Sequence, residues 1–285
     1  MEFLALLTTR EGASIYYEFH EPADFTGRAR TPVIFSCAYC TTHENWRGQV
    51  EPLLRAGHPV VLWDLRAHGD SVAPEGDDAW SIDDVVVDLL AVAEATTPDA
   101  PFVAAGLSFG GLASLHFMAR RADRVAGLVL IGSGPGFKNP EAAEAWAART
   151  ERTASFLEQR GFEDFVRGRA GPTCIGNRPE LPAAEAAARA IIAQSVPGIA
   201  RFGRQITAAA PPVVDELAAM DVPALVIVGE HDKGFLRAGE VMAAKLPRAR
   251  HVVVPDAGHI VNIDQAEFFI REMLAFLTDL ERSPI

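Results

Sequence analysis

Three cysteines, Cys37, Cys40 and Cys174, are too few and odd in number to build a disulfide framework in a chain of 285 residues. Basic residues are scarce too: 26 Lys and Arg against 38 Asp and Glu leave a formal net charge of −12, with no basic cluster to offset it. That balance argues against nucleic acid or an anionic membrane surface as a partner. No apolar run approaches the roughly 18 residues that a membrane span needs. The opening Met1-Glu2-Phe3-Leu4 lacks the charged and apolar regions of a secretory signal. No Gly-x-Gly-x-x-Gly follows the first strands, which removes dinucleotide binding. There is no internal repeat and no low-complexity tract, and nothing implies a metal or an organic cofactor. The expectation is an acidic, cytoplasmic globular protein whose apolar fraction of 49% allows a sizeable core.

What the chain does have is centred on Gly106-Leu107-Ser108-Phe109-Gly110. An apolar run over residues 101–105 reads as a buried strand, and a helical pattern begins at Phe109, with Leu112, Leu115, His116 and Ala119 on one face. A serine oxygen becomes a useful nucleophile when it stands free on a sharp strand-to-helix turn, and flanking glycines give the backbone room to turn. The helix N-terminus beyond it aims backbone N–H groups at the place where negative charge would develop. Ser108 is therefore the candidate nucleophile.

Taken in order, residues 3–8 and 14–19 read as an edge hairpin with its turn at Glu11-Gly12, followed by a polar loop over 21–30. Strands are expected at 32–35, 59–63 and 125–131. Helices are expected at 43–56, on Trp46, Val50, Leu53 and Leu54, and over 82–96 with Ser81 as cap. Strands alternating with helices need crossover connections, so the fold class is α/β, a doubly wound, mostly parallel sheet with helices on both faces. Between 137 and 217 no strand pattern appears; helices are expected at 140–159, 163–169 and 183–195. This stretch reads as an inserted helical lid, dividing the chain into a core of 1–136 and 216–285 and a lid of 137–215, although extra core helices would look the same. The alternation then resumes with a strand at 224–228, a helix at 236–246, a strand at 251–254 and a last helix at 262–279.

A serine nucleophile needs a base, and the base needs an orienting carboxylate. Two loops follow strands in the right region: Gly229-Glu230-His231-Asp232 and Asp256-Ala257-Gly258-His259. His259 is the candidate base and Asp232 the candidate orienter, with Glu230 as its competitor. His231 is left to the surface, and His43, His58, His68 and His251 lie in loops or at element ends without such context. An oxyanion hole needs two backbone N–H groups; Phe109 supplies one, and the other should come from the loop after the strand at 32–35.

Five segments together resemble the α/β-hydrolase fold superfamily: 36–46, Trp63 to Ser71, the Ser108 elbow, Gly229 to Asp232 and Ala257 to His259. The order Ser, Asp, His along the chain is that of the superfamily. The Gly-Leu-Ser-x-Gly-Gly elbow and the Ser133-Gly-Pro-Gly loop are most similar to the 3-oxoadipate enol-lactonase and esterase-like branch. The resemblance implies a serine hydrolase acting on an ester, lactone or thioester of a small, apolar molecule. C–C bond hydrolysis, acyl transfer, perhydrolysis and a ligand receptor with little turnover remain open. It also implies that Tyr39 gives the second oxyanion N–H and that Arg66 to Ser71 has a structural role. Ser108 argues against a dehalogenase or epoxide hydrolase, which would resemble their families only with Asp there. In one place the chain departs from the pattern: Cys37-Ala38 stands where the superfamily usually has His-Gly, and alanine does not adopt glycine-only angles cheaply. Cys37, Ala38 and Cys40, with Trp146 of the lid, are expected to line the substrate pocket. The other lid apolar residues, Phe156, Phe162, Phe165, Ile175 and Phe202, are expected mostly to pack against the sheet. Cys37-x-x-Cys40 also fits a redox pattern, though no helix follows it directly. A homodimer is a further possibility that the sequence leaves open.

Overall fold

Strands buried at every position belong in the middle of a sheet covered on both faces. In the computed structural model, which describes residues 2–9, 12–23, 30–74, 76 and 78–282, that is the pattern of β3 (Val33–Ser36), β4 (Val60–Trp63), β5 (Phe102–Leu107) and β7 (Ala224–Gly229). With β1 (Glu2–Thr8), β2 (Ser14–His20), β6 (Val125–Ile131) and β8 (Ala249–Val254) they form one eight-stranded sheet in the order β1-β2-β4-β3-β5-β6-β7-β8. Only β1–β2 and β2–β4 are antiparallel; from β4 to β8 every pairing is parallel, in registers such as Ile34↔Ala104 and Ala104↔Leu128. The expected edge hairpin is therefore present. Of its turn, Gly12 has φ 82°, while Glu11 lies outside the described residues, as do 24–29 of the expected 21–30 loop.

Because side chains alternate along a strand, neighbouring residues feed opposite cores. Phe35, Val103 and Ala105 pack with Leu53 of α1 (Arg47–Arg55) and with Phe269, Met273 and Phe276 of α9 (Ala266–Arg282). Ile34, Ala104 and Leu128 pack with Leu89 of α2 (Ile82–Thr96), Leu115 of α3 (Phe109–Arg120) and Met242 of α7 (Leu236–Lys245). The cap of α2 is as expected: Asp84 reaches back to accept the Ser81 N–H at 2.6 Å.

Between β6 and β7 the described residues hold no strand but three helices, α4 (Pro140–Arg167), α5 (Pro182–Ile192) and α6 (Val196–Phe202). Gly161, at φ 74°, breaks α4 between the two helices expected there. A single π turn, Gly203–Thr207, continues α6, which periodicity did not foresee. The last helix is also divided: a short α8 (Val261–Asp264) precedes α9, and Gln265 between them leaves the helical region. A 3-10 turn, His43–Trp46, precedes α1. Among the described residues, no helix is long and apolar enough to cross a membrane.

Two buried charge clusters fix the loops at the C-terminal ends of the central strands. Arg66, after β4, makes a two-pronged ion pair with Asp88 of α2, Nε to Oδ2 at 2.7 Å and Nη2 to Oδ1 at 2.9 Å. His43 donates its backbone N–H to Asp64 Oδ1 at 2.8 Å and holds Asp64 Oδ2 through Nδ1 at 2.8 Å. Glu18, Glu44 and Arg47 complete this second cluster.

Candidate active site

Ser108 is the single residue between β5 and α3, and its backbone sits at φ 52°, ψ −114°. That conformation costs a non-glycine residue about 1–3 kcal/mol, so the surroundings must hold it. They do so from both sides. The Ser108 N–H donates to Ile131 O at 2.8 Å, and the Ser133 hydroxyl donates to Ser108 O at 2.7 Å. Room for the turn comes from glycine: a Cβ on Gly106 would overlap the backbone of Gly110, and one on Gly110 would overlap Ser36 O.

Asp232 follows β7 and His259 follows β8, and the two meet with His259 Nδ1 2.7 Å from Asp232 Oδ2. An ionised carboxylate can only accept, so Nδ1 carries the hydrogen and Nε2 keeps its lone pair. Phe235 stacks on the imidazole, with ring centroids 4.9 Å apart and planes at 28°. Gly132, at φ 49°, leaves space for the pair, since a Cβ there would press on both His259 Nδ1 and Asp232 Oδ2. Glu230 is exposed and accepts the Asp256 N–H at 3.2 Å, so the competing carboxylate faces away from the imidazole. His231 is exposed as well. The His259 loop is anchored by a buried carboxylate: Asp264 accepts the Gly258 N–H at 2.8 Å and, from the helical insertion, the Asn177 N–H at 2.7 Å. Burial raises the Asp264 carboxyl above its ordinary value, against the pull of those two N–H groups.

The loop after β3 explains how the chain dispenses with His-Gly. Ala38 keeps a negative φ; the left-handed residue is Cys40, at φ 70°. The Cys40 N–H donates to His68 Nε2 at 3.2 Å, and Cys40 O accepts from Gln194 Nε2 at 3.1 Å. Burial holds the His68 imidazole down at about 4, and with Nδ1 3.1 Å from Arg66 O its Nε2 is the accepting atom. The Tyr39 ring stacks near Phe202, at 6.2 Å and 13°, with its hydroxyl packed against Gly203.

A cavity of about 340 Å³ gathers Ser108, Phe109, Asp232 and His259 with Ala38, Tyr39, Cys40 and Trp146. A second lobe of about 380 Å³ opens from the same junction at Ser108, Phe109 and Trp146. Cys37 corrects the expectation that it lines the pocket. Its side chain is fully buried on the core side, with the thiol donating to Trp63 O at 3.4 Å, because it continues the inward side of β3. All three cysteines are free and buried, and burial pushes each thiol up, that of Cys174 to about 12. A buried, protonated thiol is a poor redox centre, so Cys37-x-x-Cys40 is a packing element. Of the aromatic residues between β6 and β7, Phe165 reaches the cavity, Phe162 and Phe202 are buried, and Phe156 is exposed.

Metal-ligating types come together at Glu18, His43 and Glu44. Arg47 binds both carboxylates there, Nη2 donating to Glu18 Oε1 at 2.7 Å and to Glu44 Oε1 at 2.6 Å. A second set, His43, Asp64 and Asp70, shares the same histidine, whose Nδ1 already pairs with Asp64, and a third, Glu230, His231 and Asp256, lies exposed.

Residues 31–266 match the family model of the α/β-hydrolase fold. The chain belongs to this family. The α/β-hydrolase is 25% identical to a 3-oxoadipate enol-lactonase of Acinetobacter baylyi over 97% of each chain. It is 26% identical to a bifunctional esterase/perhydrolase of Acinetobacter calcoaceticus, over 96% of this chain and 99% of that one. Among solved structures, a thermophilic esterase from Thermogutta terrifontis with malate bound superposes at a TM-score of 0.81, with 26% identity, covering 98% of this chain and 99% of that one.

Several cavity residues carried no signal of their own in the sequence. Phe235 and Lys233 adjoin Asp232, and Arg149 lies one helical turn from Trp146, so proximity to predicted residues was the only available cue. Asp264 gave none, since a carboxylate five residues after His259 reads as the polar face of a helix.

Proposed function

We propose that this α/β-hydrolase is a serine hydrolase that cleaves a carboxylic ester or lactone through an acyl-enzyme on Ser108. The observation that carries the reading is the 2.7 Å pairing of His259 Nδ1 with Asp232, on the wall of the cavity that Ser108 enters. His259 Nε2 takes the hydroxyl proton as Ser108 Oγ bonds to the carbonyl carbon. The N–H groups of Phe109 and Tyr39 receive the oxyanion. On collapse, the carbon–oxygen bond to the alcohol breaks and the leaving oxygen takes the proton from Nε2. Water then gives a proton to Nε2 as its oxygen bonds to the acyl carbon; on collapse the acyl carbon–Ser108 Oγ bond breaks, Oγ takes the proton back from Nε2, and the carboxylic acid is released. Asp232 stays ionised throughout and steadies the imidazolium. The esterase and enol-lactonase relatives favour an oxygen ester over other acyl substrates.

The test is release of p-nitrophenol from p-nitrophenyl acetate, by the wild type beside Ser108→Ala and His259→Gln. Each substitution is expected to lower kcat by at least about 10³-fold with folding intact by circular dichroism. Turnover surviving in Ser108→Ala would remove the serine mechanism. A wild type without turnover would favour a ligand receptor on the same fold.

A further inference from the structure

We propose that Gln194, two residues past the end of α5, is a positioning residue of the oxyanion hole, its carboxamide being one link in a chain of amides that aims and polarises the Tyr39 N–H. The inference rests on the serine-hydrolase reading of Ser108 and adds to it a residue from the helices between β6 and β7.

The chain can be followed bond by bond. Gly69, in the loop after β4, donates its N–H to Gln194 Oε1 at 2.9 Å. Gln194 Nε2 donates to Cys40 O at 3.1 Å. The peptide that carries Cys40 O has the Thr41 N–H at its other end, and that group donates to Ala38 O at 3.1 Å. The Thr41 hydroxyl donates to the same oxygen at 3.0 Å. The peptide that carries Ala38 O has the Tyr39 N–H at its other end. The C=O and N–H of a planar trans peptide point opposite ways, so holding Ala38 O fixes the direction of the Tyr39 N–H. The Tyr39 N–H itself meets no acceptor among the described residues, which leaves it as the free terminal donor.

A backbone N–H can only donate and a carbonyl oxygen can only accept, so one orientation of the Gln194 carboxamide serves both its neighbours. Its dipole and those of the two peptides beyond it therefore run head to tail, with the Tyr39 N–H at the donating end. Gln194 is buried, and hydrogen bonds linked in this way away from water strengthen one another. Between the two linked peptides, the Cys40 N–H is held by His68 Nε2 at 3.2 Å, so no peptide from Ala38 to Thr41 is left to turn. Gln194 also belongs to a segment that grips this side of the cavity at several points. Asn45 Nδ2, just beyond the loop, donates to Cys174 O at 2.8 Å, and a Cβ on Gly198 would overlap the Ala67 side chain. On the acid–base side the same segment reaches the His259 loop, through the Asn177 N–H that Asp264 accepts beside that of Gly258. The helices between β6 and β7 thus take part in holding the groups that would meet the oxyanion, as well as in walling the cavity.

Gln194→Met keeps the length of the side chain and removes both of its hydrogen bonds. Steady-state kinetics on p-nitrophenyl acetate is paired with inhibition by 1,1,1-trifluoro-2-butanone. As Ser108 Oγ bonds to the carbonyl carbon of this ketone, the hydroxyl proton passes to His259 Nε2 and the carbonyl oxygen becomes an oxyanion. Gln194→Met is expected to lower kcat about tenfold while KM changes by less than about twofold. The inhibition constant for the ketone should rise by the same factor as kcat falls, because the weakened interaction is made with an oxyanion. Thr41→Val removes the hydroxyl donor to Ala38 O without touching Gln194. It should give a smaller loss of the same kind, and it decides the matter if Gln194→Met does not fold. An unchanged kcat, a loss confined to KM, or a fall in kcat with an unchanged inhibition constant would overturn the proposal. The serine mechanism is judged separately, on Ser108→Ala: turnover surviving there removes the reading and this proposal with it, whatever Gln194→Met does.

Discussion

The backbone N–H of Cys40 donates to Nε2 of His68 across 3.2 Å, joining the loop after β3 to the loop after β4. Tyr39, the proposed second donor to the oxyanion, is the residue immediately before that anchored amide. A neutral, accepting His68 therefore sets where the Tyr39 N–H points. Replacing it with alanine removes the acceptor while leaving Ser108, Asp232 and His259 untouched. His68→Ala is expected to lower kcat about tenfold, with KM changed little, because a displaced oxyanion donor is felt in the transition state. Steady-state kinetics on p-nitrophenyl acetate separates the two constants; a change confined to KM would count against the role.

Two buried histidines bend the pH dependence of stability in opposite directions. For His43, burial lowers the imidazole, but the Asp64 and Glu44 carboxylates outweigh it and push it from 6.5 up to about 10. Its contribution is complete below pH 6.5 and is lost as pH rises through about 10. For His68, burial lowers the imidazole from 6.5 to about 4, so stability is lost as pH falls from 6.5 through that value. Melting temperatures from pH 4 to 10 are expected to peak near neutrality. The alkaline limb should flatten in His43→Gln, and the acid limb in His68→Asn.

Gly110→Ala tests the elbow. The new methyl would overlap Ser36 O, a backbone atom that cannot swing aside. The loss is expected to be about 3 kcal/mol or more in urea titrations, together with activity, since β3 and the Tyr39 loop would shift with it. A variant of wild-type stability would mean that the strand and helix approach each other less closely than described.

Asp88→Ala should be among the most damaging single changes remote from the cavity. It leaves the fully buried Arg66 guanidinium without its two-pronged carboxylate, at about 3–5 kcal/mol. Urea midpoints would show this, and Arg66→Met combined with Asp88→Leu should regain most of the loss.

Much of this organisation was legible in the sequence because it repeats. The continuous apolar runs that mark β3 to β7 and the 3.6-residue periodicity of the major helices are written in consecutive residues. The elbow and the two acid–base loops lie at strand ends, so their order along the chain was enough to nominate Ser108, Asp232 and His259. What stayed hidden depends on partners distant in the chain. The His43 cluster draws on residues 18, 44, 47 and 64, none of which marks the others. That Cys40 would take a left-handed backbone had no glycine to announce it; His68 and Gln194 impose it. That Cys37 faces the core follows from strand parity continued two residues past the expected end of β3. Arg204 pairs with Glu151 and Glu158 across some fifty residues of chain, which nothing in either segment announces.

The positive φ of Ser108 has a consequence for the molecule as a whole. Every folded copy holds one residue against its own backbone preference, and glycine alone would relax there without moving its neighbours. Ser108→Gly is therefore expected to melt higher than the wild type while losing the proposed nucleophile. On the proposed mechanism, robustness and catalysis make opposite demands on this single position.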